Sequence, residues 1–172
     1  YPTGSLLALY PLLREDLIKR DSIVIDAKSG VSGAGKKLSM ATQFCEVDEN
    51  FGAYKVGRHQ HTPEIEQLLS EVAQAKIEVT FVPHLLPVNR GILSTIYASL
   101  NSKCKIQNSK SVFDIYKKYY GDEFFIRIMP EGTFPNISQV KGSNFCDIGF
   151  KIDERTGRII VITAIDNLVK GA

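Results

Sequence analysis

The sequence predicts an α+β domain, a mixed or antiparallel sheet with its helices stacked on one face. Two observations lead there. The early β-rich stretches are separated by stretches of helical periodicity, and the last two are joined by a tight turn that makes them an antiparallel hairpin. A sheet covered on one side only leaves its other face in need of a partner, so a second subunit or domain is expected there, as a homodimer or homotetramer.

Residues 4–17 read as the first helix, because Leu6, Leu7, Tyr10, Leu13 and Leu17 recur at helical spacing. Thr3 or Ser5 is available as its cap, and Pro11 is an awkward interior residue. Residues 22–28 are β-rich and short, a buried strand. A glycine-rich loop follows at 29–36, and 40–58 is mostly irregular with short strands. Thr62-Pro63-Glu64 supplies a cap hydroxyl, a first-turn proline and an acid for the positive end of the helix dipole. Ile65, Leu68, Leu69, Val72 and Ala73 give that helix an apolar face. Strands are expected at 77–82 and 92–100, with a proline-punctuated loop at 83–91 between them. Ser111 and Asp114 have capping-box spacing for a helix over 111–120 that Gly121 ends. A short strand at 124–129 precedes a hairpin of 144–153 and 158–166, whose turn places Gly157 where positive φ is wanted.

With 172 residues, 44% hydrophobic and 23% charged, one ordinary globular domain with its own core is implied. A formal charge of +2 from scattered basic residues gives no footprint for nucleic acid. No apolar run reaches the roughly 18 residues a membrane span needs, so no membrane partner is expected, while cysteines without a pairing pattern read as reduced thiols and so point to a cytoplasmic location. Cys45, Cys104 and Cys146 are odd in number and widely spaced, which signals neither a disulfide frame nor a metal site; buried thiols are the simplest reading. The chain opens at Tyr1 without an initiator Met and closes on Asp166-Asn-Leu-Val-Lys-Gly-Ala172, so flanking sequence is expected at both ends.

Three features could carry chemistry. Gly30-x4-Gly35-Lys36 follows a strand and matches a P-loop as far as the lysine, but Lys37 stands where Ser or Thr must hold magnesium. What remains is a loop whose backbone N–H groups can receive phosphate, or a turn without function. His59 and His61, two apart in an extended segment, project to the same side just before a helix N-terminus, which disfavours the imidazolium. They suit general acid–base work, or one caps the helix while the other is solvated. His84 and Arg90 leave a strand end and could meet an anion, although a loop histidine commonly only bonds backbone.

Several blocks occur together and in order: Asp26-Ala-Lys-Ser-Gly-Val-Ser-Gly-Ala-Gly35, Ala53-Tyr-Lys55, His59-Gln-His-Thr-Pro-Glu-Ile65, Pro83-His-Leu85, Asn89-Arg-Gly-Ile-Leu93 and Asp166-Asn-Leu-Val-Lys-Gly-Ala172. This set, running the whole chain, resembles N-acetyl-γ-glutamyl-phosphate reductase. The resemblance implies the catalytic and dimerisation domain, similar to the C-terminal domain of glyceraldehyde-3-phosphate dehydrogenase-like enzymes. It implies that Tyr1-Pro-Thr-Gly4 directly follows the nucleophilic cysteine, which this chain does not contain. A Rossmann-type NADP domain is likewise implied outside the chain, and the substrate would be an acyl phosphate of arginine biosynthesis reduced through a Cys thioester.

By the same resemblance, His61 or His59 is the acid–base partner, and spacing does not choose between them. Ser29, Arg90 and His84 are implied substrate contacts; Ser32, Gly33, Gly35 and Asn167 are implied to lie beside NADP(H). Gln60 stands where a basic residue is expected, which puts one anion contact in doubt. Alone, this chain is expected to have neither reductase activity nor NADP affinity. The competing enzymes are aspartate-semialdehyde dehydrogenase, disfavoured by the His-x-His-Thr-Pro-Glu-Ile block, and the aminoadipyl-phosphate reductase of lysine synthesis, which side-chain recognition alone would separate. From another class, a non-catalytic oligomerisation module would leave the histidines and glycine loop unexplained.

Overall fold

The computed structural model describes residues 1–102 and 109–172. A seven-stranded sheet runs in the order β2-β3-β1-β4-β7-β6-β5. Its strands are β1 (Val24–Gly30), β2 (Gly52–Ala53), β3 (Thr80–Leu86), β4 (Ile92–Ser99), β5 (Ile126–Ile128), β6 (Cys146–Asp153) and β7 (Arg158–Ile165). Strands β1 and β3 pair in parallel, as do β5 and β6; the other neighbours are antiparallel. The sheet is therefore mixed. Among the described residues four α-helices accompany it: α1 (Pro2–Arg14), α2 (Phe44–Val47), α3 (Thr62–Ala73) and α4 (Ser109–Tyr120).

The strands read inside-out along their length. In β4 every second residue from Ile92 to Ala98 is buried, and in β1 Ile25, Ala27 and Ser29 are buried while Val24, Asp26 and Lys28 are half-buried. The buried set faces α1, α3 and α4, which lie together on one side. Tyr116 of α4 stacks on Phe150 of β6 with ring centroids 5.0 Å apart. Its hydroxyl, fully buried, donates to the Ala8 carbonyl of α1, so the phenol has the partner that burial demands. The opposite face keeps Val82, Leu86, Leu93, Tyr97, Ile160 and Ile162 half-buried, an apolar surface that no helix among the described residues covers.

Helix α1 is phased differently from the expectation. Ser5, Ala8, Leu9 and Leu12 turn into the core, whereas Leu6, Leu7 and Tyr10 are half-buried and line an outer groove of about 550 Å³ with Leu68, Val72 and Tyr120. A run with a leucine at nearly every turn position on all sides does not determine its own rotation; packing against β7 does. Neither Thr3 nor Ser5 caps α1, which starts instead with Pro2 in its first turn after Tyr1. Pro11 sits within the helix. Likewise Thr62 is the first residue of α3 rather than its cap, and no side chain caps that helix. Helix α4 begins at Ser109, which places Ser111 inside it.

Strand β3 also departs from the expectation. It starts at Thr80 and continues through Pro83 to Leu86, so half of the expected loop is strand. Pro83 is tolerated because the neighbour on that side is the two-residue β2, next to the sheet edge where few ladder donors are needed. The hairpin turn is as expected, with Gly157 at φ +65°. Gly30 serves a different need: a Cβ there would lie 2.7 Å from the Asn89 carbonyl oxygen, so the two loops meet only because it has none. Cys146 is buried and burial pushes its thiol up to about 12. Cys45 is exposed on α2, contrary to the buried reading, and Cys104 lies outside the described residues.

Candidate functional site

The site is built where the C-terminal end of β1 meets the chain leading into α3. After Gly30 the backbone makes a short 3-10 turn, Val31–Ala34, and no α-helix. That removes the P-loop reading, which requires a helix N-terminus at this point. Ser29, Gly33 and Ala34 line a cleft of about 370 Å³, together with Lys37, Ser39, Thr42, Tyr54, Lys55, His59 and Gln60.

Tyr1 anchors the floor. Its ring, 6% exposed, makes edge contacts to His59 (5.4 Å between centroids), His61 (6.2 Å) and Phe81 (5.2 Å). Its hydroxyl lies 2.8 Å from that of Tyr54. Burial, with help from the Tyr54 hydroxyl, pushes the Tyr1 phenol well above its ordinary value.

The histidines meet as expected, but not through an extended segment. Residues 60–61 form a turn, and the His61 N–H donates to Nδ1 of His59 at 3.2 Å. The rings then lie 5.1 Å apart. That bond assigns the tautomer, because a ring whose Nδ1 accepts must carry its proton on Nε2 when neutral. Burial, then the charges of His61 and Lys55, push His59 down to about 4. His61 is lowered as well, first by burial and also by the charge of Lys55, with Glu64 pulling the other way. Its Nδ1 is buried and has no hydrogen-bond partner.

His59 thus links folding to pH. The folded ring, at about 4, binds a proton less readily than the unfolded ring at its ordinary 6.5, so between those values the unfolded state holds more protons. Stability is expected to rise as pH climbs from 4 to 6.5, by on the order of 2 kcal/mol. Urea unfolding of the chain and of His59→Asn at several pH values checks this: the slope should shrink in the variant, and an unchanged slope contradicts it.

The family described as "Semialdehyde dehydrogenase, dimerisation domain" matches residues 1–167. The chain belongs to that family. It is 54% identical over 172 residues to an N-acetyl-gamma-glutamyl-phosphate reductase of Pelotomaculum thermopropionicum, and 55% identical over 172 residues to one of Caldicellulosiruptor saccharolyticus. In both comparisons all of this chain is covered, but it spans only 49% of the relative's length. Among solved structures, aspartate semialdehyde dehydrogenase II from Vibrio cholerae superposes with a TM-score of 0.72 at 17% identity, over 97% of this chain and 55% of that one. A probable aspartate-semialdehyde dehydrogenase from Pseudomonas aeruginosa gives 0.72 at 14% identity, over 99% and 56%. At such identities the likeness speaks for the fold. Among the described residues no helix of this dimerisation domain is long and apolar enough to cross a membrane.

Not every expected site residue reaches the cleft of the dimerisation domain. His84 alternates with Phe81, Pro83 and Leu85 along β3 and so points to the uncovered sheet face. Its Nδ1 lies 3.1 Å from Asp26 Oδ1 there, near but not aligned as a hydrogen bond, and its ring packs on Phe51. The extension of β3 is the reason: the residue expected in a loop is held by strand alternation. Arg90 does not line the cleft either. Its Nη1 donates at 3.2 Å to Asp166 Oδ2, a carboxylate with no exposed side-chain surface. Asn167, 5% exposed, has both ends of its amide engaged: Gly91 N–H donates to Oδ1 at 2.7 Å, and Nδ2 donates to Ser32 Oγ at 2.8 Å. Ser32 in turn donates to the Asn89 carbonyl at 2.6 Å.

Tyr1, Tyr54, Lys37 and Lys55 were not singled out from sequence, yet all four belong to this site. Tyr54 and Lys55 stood in one of the ordered blocks, which was the available signal. Lys37 was visible only as the residue that spoils a P-loop.

Proposed function

We propose that this domain is the substrate-side half of an NADPH-dependent reductase that converts N-acetyl-γ-glutamyl phosphate to the corresponding semialdehyde, in the cytoplasm, as a step of arginine biosynthesis. One observation carries the reading: His59 and the Ser29–Gly33 turn line one cleft, and the His61 and Tyr1 rings pack against His59 beside it. The identity to reductases bearing that name, over the whole of this chain, supports the choice of substrate.

The chemistry follows from the placement. A thiol contributed by polypeptide on the amino side of Tyr1 would lie at the start of α1, whose positive end favours the thiolate. His61, with a free buried Nδ1 and a half-buried ring, takes that thiol's proton, lends it to the substrate oxygen as the acyl carbon is reduced, and takes it back as the carbon–sulfur bond breaks, which releases the aldehyde and restores the thiolate. His59 stays neutral and presents Nε2–H as a hydrogen-bond donor, which holds the reacting group rather than exchanging protons with it. Sulfur bonds to the acyl carbon, the carbon–oxygen bond to phosphate breaks, and its electron pair leaves on phosphate. Ser29, buried with its hydroxyl beside the Tyr1 phenol, lines the floor under the acyl group.

The nicotinamide cofactor fits the glycine turn. A Cβ at Gly33 would lie 3.0 Å from Ser29 Oγ, while nothing stands within 4 Å of one at Gly35, so bare backbone faces the cleft on one side and open space on the other. Ser32, Gly33 and Gly35 would line its position, and when bound it supplies the hydride that reduces the acyl carbon. Asn167 acts indirectly, clamping Ser32 and the residue 89–91 loop together beneath the turn. The uncovered sheet face is the surface through which two copies pair. The fold, not the cleft, carries that task, so His84 and Asp26 serve the interface.

The decisive assay uses full-length protein containing this chain. NADPH oxidation is expected with N-acetylglutamyl phosphate and not with aspartyl phosphate or carrier-bound aminoadipyl phosphate, and none is expected from the 172-residue chain alone. Turnover confined to another acyl phosphate would reassign the substrate; turnover by the isolated chain would refute the placement of the nucleophile.

A further inference from the structure

We propose that Lys37 and Lys55 form an anion subsite at the mouth of the cleft that takes the phosphate leaving group of the acyl phosphate. The inference rests on the function proposed above and adds where in the cleft that group lies. Neither expected anion contact lines the cleft. Arg90 is spent on Asp166, and His84 lies beside Asp26 on the opposite face of the sheet. A substrate that arrives with a phosphate dianion needs its charge met elsewhere.

The cleft lining supplies it. Lys37 and Lys55 are on the lining and no aspartate or glutamate is. Among the described residues, neither ammonium has a carboxylate within ion-pair distance. Lys55 is instead clasped by a neutral group, its Nζ donating to Gln60 Oε1 at 2.9 Å. Such a clasp gives the side chain a direction without cancelling its charge. Gln60, which stands where a basic residue was expected between the histidines, thereby brings the cation of Lys55 to that place. Ser39 and Thr42 add a hydroxyl pair, 3.0 Å apart, on the same lining. Two uncompensated cations in a concave surface focus a positive potential, and a lysine ammonium binds phosphate as a point charge that tolerates several orientations.

The position suits the reaction. Lys55 is near enough to both histidines for its charge to act on them, so a phosphate held there lies beside the carbon that the sulfur attacks. There the ammonium meets the negative charge that develops on the leaving oxygen as the carbon–oxygen bond breaks. The subsite would serve equally for phosphate re-entering in the reverse direction, with semialdehyde and NADP+.

That reverse reaction separates a leaving-group site from a cofactor-phosphate site. In the full-length protein, Lys55→Ala is expected to raise the KM for inorganic phosphate about tenfold, the effect of one charge-assisted hydrogen bond. The KM for NADP+ should stay unchanged, Lys55→Arg should recover most of the loss, and Lys37→Ala should act in the same direction. A raised KM for NADP+ with that for phosphate unaltered overturns the proposal in favour of a cofactor contact, and no change in either overturns it outright. A wild-type protein without reductase activity would count against the proposed function instead. In that case, titrating inorganic phosphate into the chain and its Lys55→Ala variant by calorimetry still decides the subsite: weaker binding in the variant supports it, and equal binding refutes it.

Discussion

Asp166→Ala should destabilise the chain by about 3–5 kcal/mol, the cost typical of breaking a buried ion pair on one side. The Asp166 side chain has no exposed surface and accepts three hydrogen bonds, from Arg90 Nη1 (3.2 Å), Gly142 N–H (2.6 Å) and Leu168 N–H (2.8 Å). Removing the carboxylate leaves two amides and a guanidinium without their acceptor. Burial by itself would raise its pKa, but the two amides and Arg90 more than offset that and hold it below the ordinary carboxylate range. The sign for stability follows: this contribution is complete above the unfolded value and disappears as pH falls through the lower folded one. Urea unfolding at neutral pH measures the loss, and a change under about 1 kcal/mol, an exposed pair's worth, would show that Asp166 is not the clasp described.

The second large effect concerns catalysis and rests on the proposed function. In full-length protein His61→Ala is expected to lower kcat by about 10²–10⁴-fold, the range for losing a positioned acid–base group. His59→Asn should cost less, since a neutral donor can be partly replaced by an amide and the ring exchanges no proton. Steady-state kinetics across pH distinguish them, because the limb belonging to the acid–base group should vanish in the His61 variant only. The opposite pattern, a dead His59 variant and a competent His61 one, would reverse the two roles.

Much of this was legible in the residues. The alternation in residues 92–100, the turn at Gly157 and the Thr-Pro-Glu start of α3 are local signals, because period and turn chemistry depend on near neighbours. The pairing of His59 with His61 was foreseen on a mistaken ground, an extended segment, and holds because a turn and a backbone bond bring the rings together. Other features were invisible for physical reasons. The rotation of α1 is set by what it packs against, and the length of β3 by neighbours that pair with it across a large sequence distance.

The sequence alone determined the alternation of elements, a mixed or antiparallel sheet with helices on one face, and the ordered blocks that carry the family resemblance, since these are short-range patterns. Tertiary structure alone decided which of those residues share a cleft. A one-residue step along β3 sends His84 to the far face of the sheet, and a buried carboxylate 76 positions away claims Arg90. Charge and proximity in a fold are properties of pairs distant in the chain, and no local pattern encodes them.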